Sequence, residues 1–385
     1  MRGNNRSRRR RIKVMMDRRL VENFDWSIVF LFFAISCLGL VSLYSALYTQ
    51  IQIHPTRNLF VKQLIWFALG CLIFLATLFV DYHKLKKLAP WIYAATLLAL
   101  AVVLIVGDGI KGSRRWLNIA GFNLQPSEFM KLALVLQLAR MFSSQDVEPY
   151  PPLRQLIPAA GISLAPALLI VVEPDLGTSL CLLAVAFTMV FVLGIRWRYL
   201  LVITLVGLLS VYPLWHYGLK EYQRERIRTV LAPERDPMGS GYHTIQSKVA
   251  VGSGMMWGKG FLNGTQNKLR FLPEKHTDFI FSVWAEEWGF WGCSVMIALF
   301  FLFICASLRV AGRAKDRFGM LLVVGLTALV MWQALINIGM VIGLLPVVGI
   351  TLPFVSYGGS SLLTLCAAVG LIENVSMRRY AFRPS

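Results

Sequence analysis

The sequence predicts an all-α polytopic integral membrane protein, with about ten transmembrane helices and a long extracytoplasmic loop between the seventh and eighth. Three observations predict it. Hydrophobic residues make up 56% of the chain and charged residues only 15%, a balance foreign to soluble domains. Apolar runs of the ~20 residues needed to cross a bilayer recur along the chain, far too long for barrel strands. Lys and Arg gather in alternate short connections, as the positive-inside bias requires.

Residues 1–24 read as a basic cytoplasmic tail. Arg2, Arg6, Arg8 to Arg11, Lys13, Arg18 and Arg19 supply much of the net charge of +19. Alone, such a tail suits nucleic acid. Directly before an apolar run it fixes a cytoplasmic N-terminus and touches anionic membrane lipids, so nucleic acid is not an expected partner. Trp26 to Tyr48 is too long for a signal-peptide core and lacks a small-residue cleavage site.

The membrane domain, 25–377, reads as spans at roughly 25–48, 58–80, 88–107, 126–142, 155–173, 176–194, 198–217, 279–308, 318–344 and 357–377. Lys84, Lys86, Lys87, Arg196, Arg198, Arg309, Arg313, Lys315 and Arg317 then fall in cytoplasmic loops. Arg378, Arg379 and Arg383 fall in a cytoplasmic C-terminal tail, 378–385. This is an N-in, C-in, multi-pass protein of a cytoplasmic membrane. Six dispersed cysteines without a C-x-x-C pair, and five dispersed histidines, indicate neither a disulfide framework nor a metal cluster.

One short outward loop breaks the pattern, and one long segment also lies outside. The short loop 107–125 carries Lys111, Arg114 and Arg115 against Asp108 alone. Either neighbouring loops outvote it, or the cations are kept to hold an anion such as phosphate. The long loop, 218–278, is too well punctuated for a linker and too short for an enzyme domain; within it His243 to Val251 suits an amphipathic helix resting on the membrane.

Ionisable groups in or beside spans are costly and suggest sites. Glu128 and Lys131, three apart, form either a self-neutralising pair or the edge of a polar cavity. Glu173 and Asp175 flank Pro174, where a broken helix lets them face a cavity rather than lipid. Asp278 closes the long loop, as a helix N-cap or a working carboxylate; on a continuous helix it would share a face with Glu286. Glu286 and the adjacent Glu287 could pair with basic groups from other spans. Residues 353–361, Pro-Phe-Val-Ser-Tyr-Gly-Gly-Ser-Ser, suit close helix packing or a polar cavity wall. Gly258-Lys259 and Gly252-Ser-Gly254 fail the phosphate-loop and nucleophile-elbow patterns.

Four stretches, in order, resemble the SEDS family (shape, elongation, division and sporulation) over nearly the whole chain after the tail. They are Gln125-Pro-Ser-Glu-Phe-Met-Lys131, Glu173-Pro-Asp-Leu-Gly-Thr178, Leu272-Pro-Glu-Lys-His-Thr-Asp-Phe-Ile-Phe281 and Leu352-Pro-Phe-Val-Ser-Tyr-Gly-Gly-Ser-Ser361. Gly264 to Pro273 and Leu345-Pro-Val-Val-Gly349 are similar to the rod-shape branch rather than the division branch.

The resemblance implies a peptidoglycan glycosyltransferase that polymerises lipid II into a growing glycan strand during cell elongation. It implies a class B penicillin-binding protein and the elongation machinery as partners. It also implies Asp278 as the catalytic carboxylate, with Arg115, Glu128, Lys131 and Asp175 in the cavity. A sugar hydroxyl is a weak nucleophile, so a positioned base contributes roughly 10²–10⁴-fold. The pyrophosphate leaving group needs countercharge, for which Lys111, Arg114, Arg115 and Lys131 are candidates. The resemblance fixes no cofactor; a divalent cation, magnesium or manganese, would add to that charge. A lipid-linked precursor flippase or a non-catalytic scaffold for a synthase would use the same cavity differently.

Overall fold

The computed structural model describes residues 23–53, 59–110, 113–119, 122–143, 151–195, 197–213, 215–216, 221–231, 240–268 and 274–379. Both chain ends and Lys111 therefore lie outside the described residues. Ten helices fall on the ten expected spans. They are α1 (Trp26–Ile53), α2 (Leu59–Phe79), α3 (Tyr82–Val106), α4 (Pro126–Ser143), α5 (Leu153–Val172), α6 (Leu176–Val192), α7 (Trp197–Pro213), α11 (Ile280–Gly312), α12 (Arg317–Val341) and α13 (Gly359–Met377). Seven of them are long and apolar enough to cross a membrane; α4, α6 and α7 are shorter or more polar. The chain is thus a multi-pass membrane protein.

The third helix begins at Tyr82, earlier than the expected 88. Asp81 caps it by accepting a hydrogen bond from His83 N at 2.9 Å, and the fully buried Tyr82 donates from its hydroxyl to Asp316 at 2.6 Å. Lys84, Lys86 and Lys87 therefore ride on the helix rather than in a loop. Apolar count alone cannot see a polar first turn that is held by its partners.

Inside a bilayer, burial of apolar groups does not drive helix against helix, so close packing must. Gly70 of α2 faces Cys366 of α13, where an added Cβ would lie 2.7 Å from Sγ. Gly370 faces Phe74, and Gly359 lies under the Trp66 ring. Small-residue packing is thus one use of the segment before and into α13. Ser356 of the same segment makes the polar contacts described below, and Ser360 Oγ accepts from Gln125 N at 3.1 Å.

Three features depart from the expected picture. The loop 107–125 folds into a small antiparallel sheet, with β1 (Asp108–Ile110), β2 (Ser113–Ile119) and β3 (Phe122–Leu124) in that order. The all-α class holds for the membrane part only. The long loop carries α8 (Glu221–Leu231), α9 (Ser240–Ser253) and the single turn α10 (Thr265–Lys268). α9 contains the expected amphipathic segment, but its buried face docks on protein. Ser247 meets Ser282 of α11 at 2.8 Å and donates to the Val341 carbonyl at 2.7 Å.

The third departure is a break in α11. Gly289 has φ 61° and ψ −158°, a conformation that only glycine adopts readily. The freed backbone groups pair with the turn at 254–260: Phe290 N donates to Met255 O at 2.8 Å, and Lys259 N and Gly260 N donate to Glu286 O and Glu287 O, both at 3.0 Å. Every such group must find a partner in or near lipid, so the turn completes the helix.

Candidate functional site

Four connections meet at one end of the bundle: the sheet after α3, the turn 173–175 between α5 and α6, the turn 274–279 before α11, and the segment 349–358 before α13. Hydrogen bonds between their backbones and a few buried side chains hold them. Asn337, fully buried on α12, donates from Nδ2 to the Asp278 carbonyl at 2.9 Å and to the Ile350 carbonyl at 2.7 Å. Ser356 Oγ donates to the Thr277 carbonyl at 2.6 Å and accepts from Leu352 N at 2.8 Å. Tyr357 N donates to the His276 carbonyl at 2.9 Å, with the two rings 5.9 Å apart. The backbone around Asp278 is therefore gripped by α12 and by the segment before α13, while its carboxylate is left to face the site.

That carboxylate is half-buried and does not cap α11, whose N-cap is Phe279. Nor does it share a helix with Glu286, because α11 begins at Ile280. Gly349 lies beside it: a Cβ there would stand 3.5 Å from Asp278 Oδ2, on a backbone with φ +75°. Burial, helped by the negative charges of Glu274 and Asp175, pushes the Asp278 carboxyl up to about 6; a hydrogen bond from Thr277 and the charge of Arg226 pull the other way. Ionised at neutral pH, with its affinity for a proton raised, it suits a general base.

The second group forms around Asp175. It caps α6, accepting from Thr178 N at 3.2 Å and Thr178 Oγ1 at 3.0 Å, and it takes a further bond from Gln125 Nε2 at 3.3 Å. Arg115 of β2 reaches across to the same turn. Its Nε donates to the Glu173 carbonyl at 2.8 Å, its Nη2 to the Pro174 carbonyl, and its Nη1 stands 3.7 Å from Asp175 Oδ2. Lys131 and Glu128 form a buried pair at 2.8 Å. With Gln125, Thr178, Gly349 and Thr351 they line a cavity of about 40 Å³ that runs toward the Asp278 neighbourhood. A space of this size admits a water, not a sugar.

Asp278, Arg115, Asp175, Glu128 and Lys131 are thus gathered at one end. Arg114 pairs with Gly109 through its backbone in the sheet, its side chain lying, like all of Lys111, outside the described residues. Arg115 and Lys131 are already engaged, one as a clamp on the α5–α6 turn and one in an ion pair. Glu286 finds its base in the loop rather than in a span: Lys259 Nζ lies 2.6 Å from Oε1, which also accepts from Thr265 N at 2.8 Å and Gln266 N at 3.1 Å. Glu287 accepts from Ser45 of α1, a hydroxyl instead of the expected cation.

Asn337 and Arg226 were not singled out from sequence, and Gln125 and Ser356 entered only as members of quoted stretches. Gln333 and Asn337, four apart in an otherwise apolar span, were the signal available for the first. Among the described residues, no three His, Cys, Asp or Glu side chains group as metal ligands.

The profile of the FtsW/RodA/SpoVE family, described as "Cell cycle protein", matches residues 25–381. "Peptidoglycan glycosyltransferase MrdB" of Escherichia coli (strain K12) is 41% identical over 312 residues, 81% of this chain and 84% of that one. "Peptidoglycan glycosyltransferase RodA" of Treponema pallidum (strain Nichols) is 30% identical, covering 93% of this chain and 99% of its own. A solved chain described under "Structural coordination of polymerization and crosslinking by a peptidoglycan synthase complex" superposes with a TM-score of 0.79 at 36% identity, over 93% of this chain and 99% of that one. The crystal structure of the Thermus thermophilus rod shape determining protein RodA gives 0.69 at 32% identity, over 93% and 98%.

Proposed function

The chain belongs to the FtsW/RodA/SpoVE family and is a peptidoglycan glycosyltransferase, and from that premise we propose that it polymerises lipid II with Asp278 as the general base. The carrying observation is the mounting of that residue: its backbone is fixed by Asn337 and, through Thr277, by Ser356, with the carboxylate half-buried and its proton affinity raised. Asp278 takes the proton from the 4-hydroxyl of one lipid II as the oxygen attacks the anomeric carbon of the donor glycan. The bond to undecaprenyl pyrophosphate breaks on the opposite side. One displacement at an α-linked donor gives a β-1,4 linkage.

The departing pyrophosphate needs positive charge. Lys111 and Arg114, two of the cations the sequence offers in the loop 107–125, take that role in this reading. Arg115, engaged with the Glu173 and Pro174 carbonyls, holds the sheet against the α5–α6 turn, and Lys131 and Glu128 brace the cavity wall. No step is assigned to a metal ion.

The reaction faces the outside of the cytoplasmic membrane, with both termini inside. Lys84, Lys86 and Lys87 start α3, Arg309 and Arg313 end α11, and Arg378 follows α13, all at the end of the bundle opposite Asp278. The synthase complex among its solved relatives supports a crosslinking partner, proposed here as a class B penicillin-binding protein. The test incubates the purified chain and that partner, its transpeptidase blocked, with labelled lipid II. Glycan polymer is the expected product. Movement of lipid II across proteoliposomes without polymer would replace this reading with that of a flippase.

A further inference from the structure

Far from Asp278, at the other end of the bundle, α3 and α4 border a second, open cavity of about 690 Å³. Its lining comes from two sets of residues, each at i, i+3, i+4 on one helix face: His83, Lys86 and Lys87 on α3, and Gln137, Arg140 and Met141 on α4. We propose that this cavity binds the phosphate headgroup of an anionic phospholipid from the leaflet opposite the catalytic end.

Charge and shape both point there. Lys86, Lys87 and Arg140 converge on the space. Among the described residues, two carboxylates beside His83 are already engaged: Asp81 lies 2.9 Å from His83 Nδ1, and Asp316 accepts from Tyr82 and stands 3.9 Å from His83 Nε2. Lys86 Nζ rests 5.8 Å from the Phe318 ring centroid, which orients the ammonium without neutralising it. Gln137 Oε1 is buried and finds no hydrogen-bond partner among the described residues. A phosphodiester, with a water at Gln137, would satisfy this set. A lipid is favoured over an acidic peptide because exposed Leu88 and Trp91, 75% exposed, adjoin the basic cluster on α3. Trp at that depth marks the boundary of headgroup and acyl chain. The volume suits a headgroup rather than a single ion.

Native mass spectrometry of the full chain, released from nanodiscs holding phosphatidylglycerol and phosphatidylethanolamine in equal amounts, tests this. Wild type should retain phosphatidylglycerol selectively. The triple variant Lys86→Gln, Lys87→Gln, Arg140→Gln should weaken retention on the order of 100-fold, at roughly fivefold per basic residue. The triple variant Arg309→Gln, Arg313→Gln, Lys315→Gln removes the same charge from the same end and should retain wild-type selectivity. Both variants should keep the wild-type unfolding temperature. Unselective retention by wild type, or equal loss in both variants, overturns the site. Displacement of the lipid by inorganic phosphate alone overturns the lipid as its occupant and assigns the cavity to a soluble phosphate.

Discussion

Replacing Asn337 with Ala should disable the polymerase without touching a substrate-binding group. Asn337 Nδ2 serves two carbonyls from separate segments, Asp278 and Ile350, at 2.9 and 2.7 Å. Each carbonyl stranded in a buried place costs about 1–3 kcal/mol, so the two together cost about 2–6 kcal/mol. The lower end applies here, because hydrogen bonds between helices within a bilayer average about 0.6 kcal/mol. Released from its anchor, the turn 274–279 lets the Asp278 carboxylate drift. A displacement near 1 Å at a reacting group can cost about 10²-fold in rate. The variant should therefore lose about 10- to 100-fold in kcat for lipid II polymerisation, with KM little changed.

A control separates positioning from general loss of stability. Thr188→Val removes the acceptor of the 2.8 Å hydrogen bond from Trp332 Nε1, another α12 contact, this one to α6. It should lower the unfolding temperature in detergent and leave kcat near wild type. Wild-type kcat in Asn337→Ala, or an equal fall in Thr188→Val, would refute the idea that Asn337 acts through Asp278.

Other expectations follow from the same contacts. With Asp278 held at about 6, the ionised base is lost below that pH, so kcat/KM should fall about tenfold per pH unit on the acid side and level off above it. Arg226→Gln removes a charge that lowers this value, so the acid limb in the same pH profile should move to higher pH. Lys259→Met leaves the buried Glu286 carboxylate without its cation and should destabilise by about 3–5 kcal/mol; Glu286→Gln in the same chain should restore much of the loss in thermal unfolding. Gly289→Ala places a Cβ 2.4 Å from Gly258 N on a backbone with φ +61°, and the purified variant should lose its cooperative unfolding transition.

The spans were legible because lipid imposes one length and one composition on every helix that crosses it. Asp278 and Asp175 drew attention for the opposite reason: a charge beside a span is expensive, and its retention is a signal. Partners were not legible. Lys259 and Glu286 lie 27 residues apart and meet only because α11 breaks at Gly289 and accepts the turn 254–260. Asn337 reaches a carbonyl 59 residues away, and a carbonyl has no sequence signature. The sheet at 108–124 was missed because its strands are three to seven residues long and carry charges where alternation would be sought. Arg115 illustrates the limit most clearly. Its sign and place suggested a phosphate ligand, while its guanidinium is spent on two carbonyls of the next helix turn.

The central claim is that the Asp278 carboxylate performs the chemistry. Purified Asp278→Asn, with the class B partner and labelled lipid II, keeps the size and nearly the shape of the side chain while removing the base. The account predicts that this variant folds, binds the partner as wild type does, and makes no glycan polymer. Polymer formed at the wild-type rate by Asp278→Asn would contradict it.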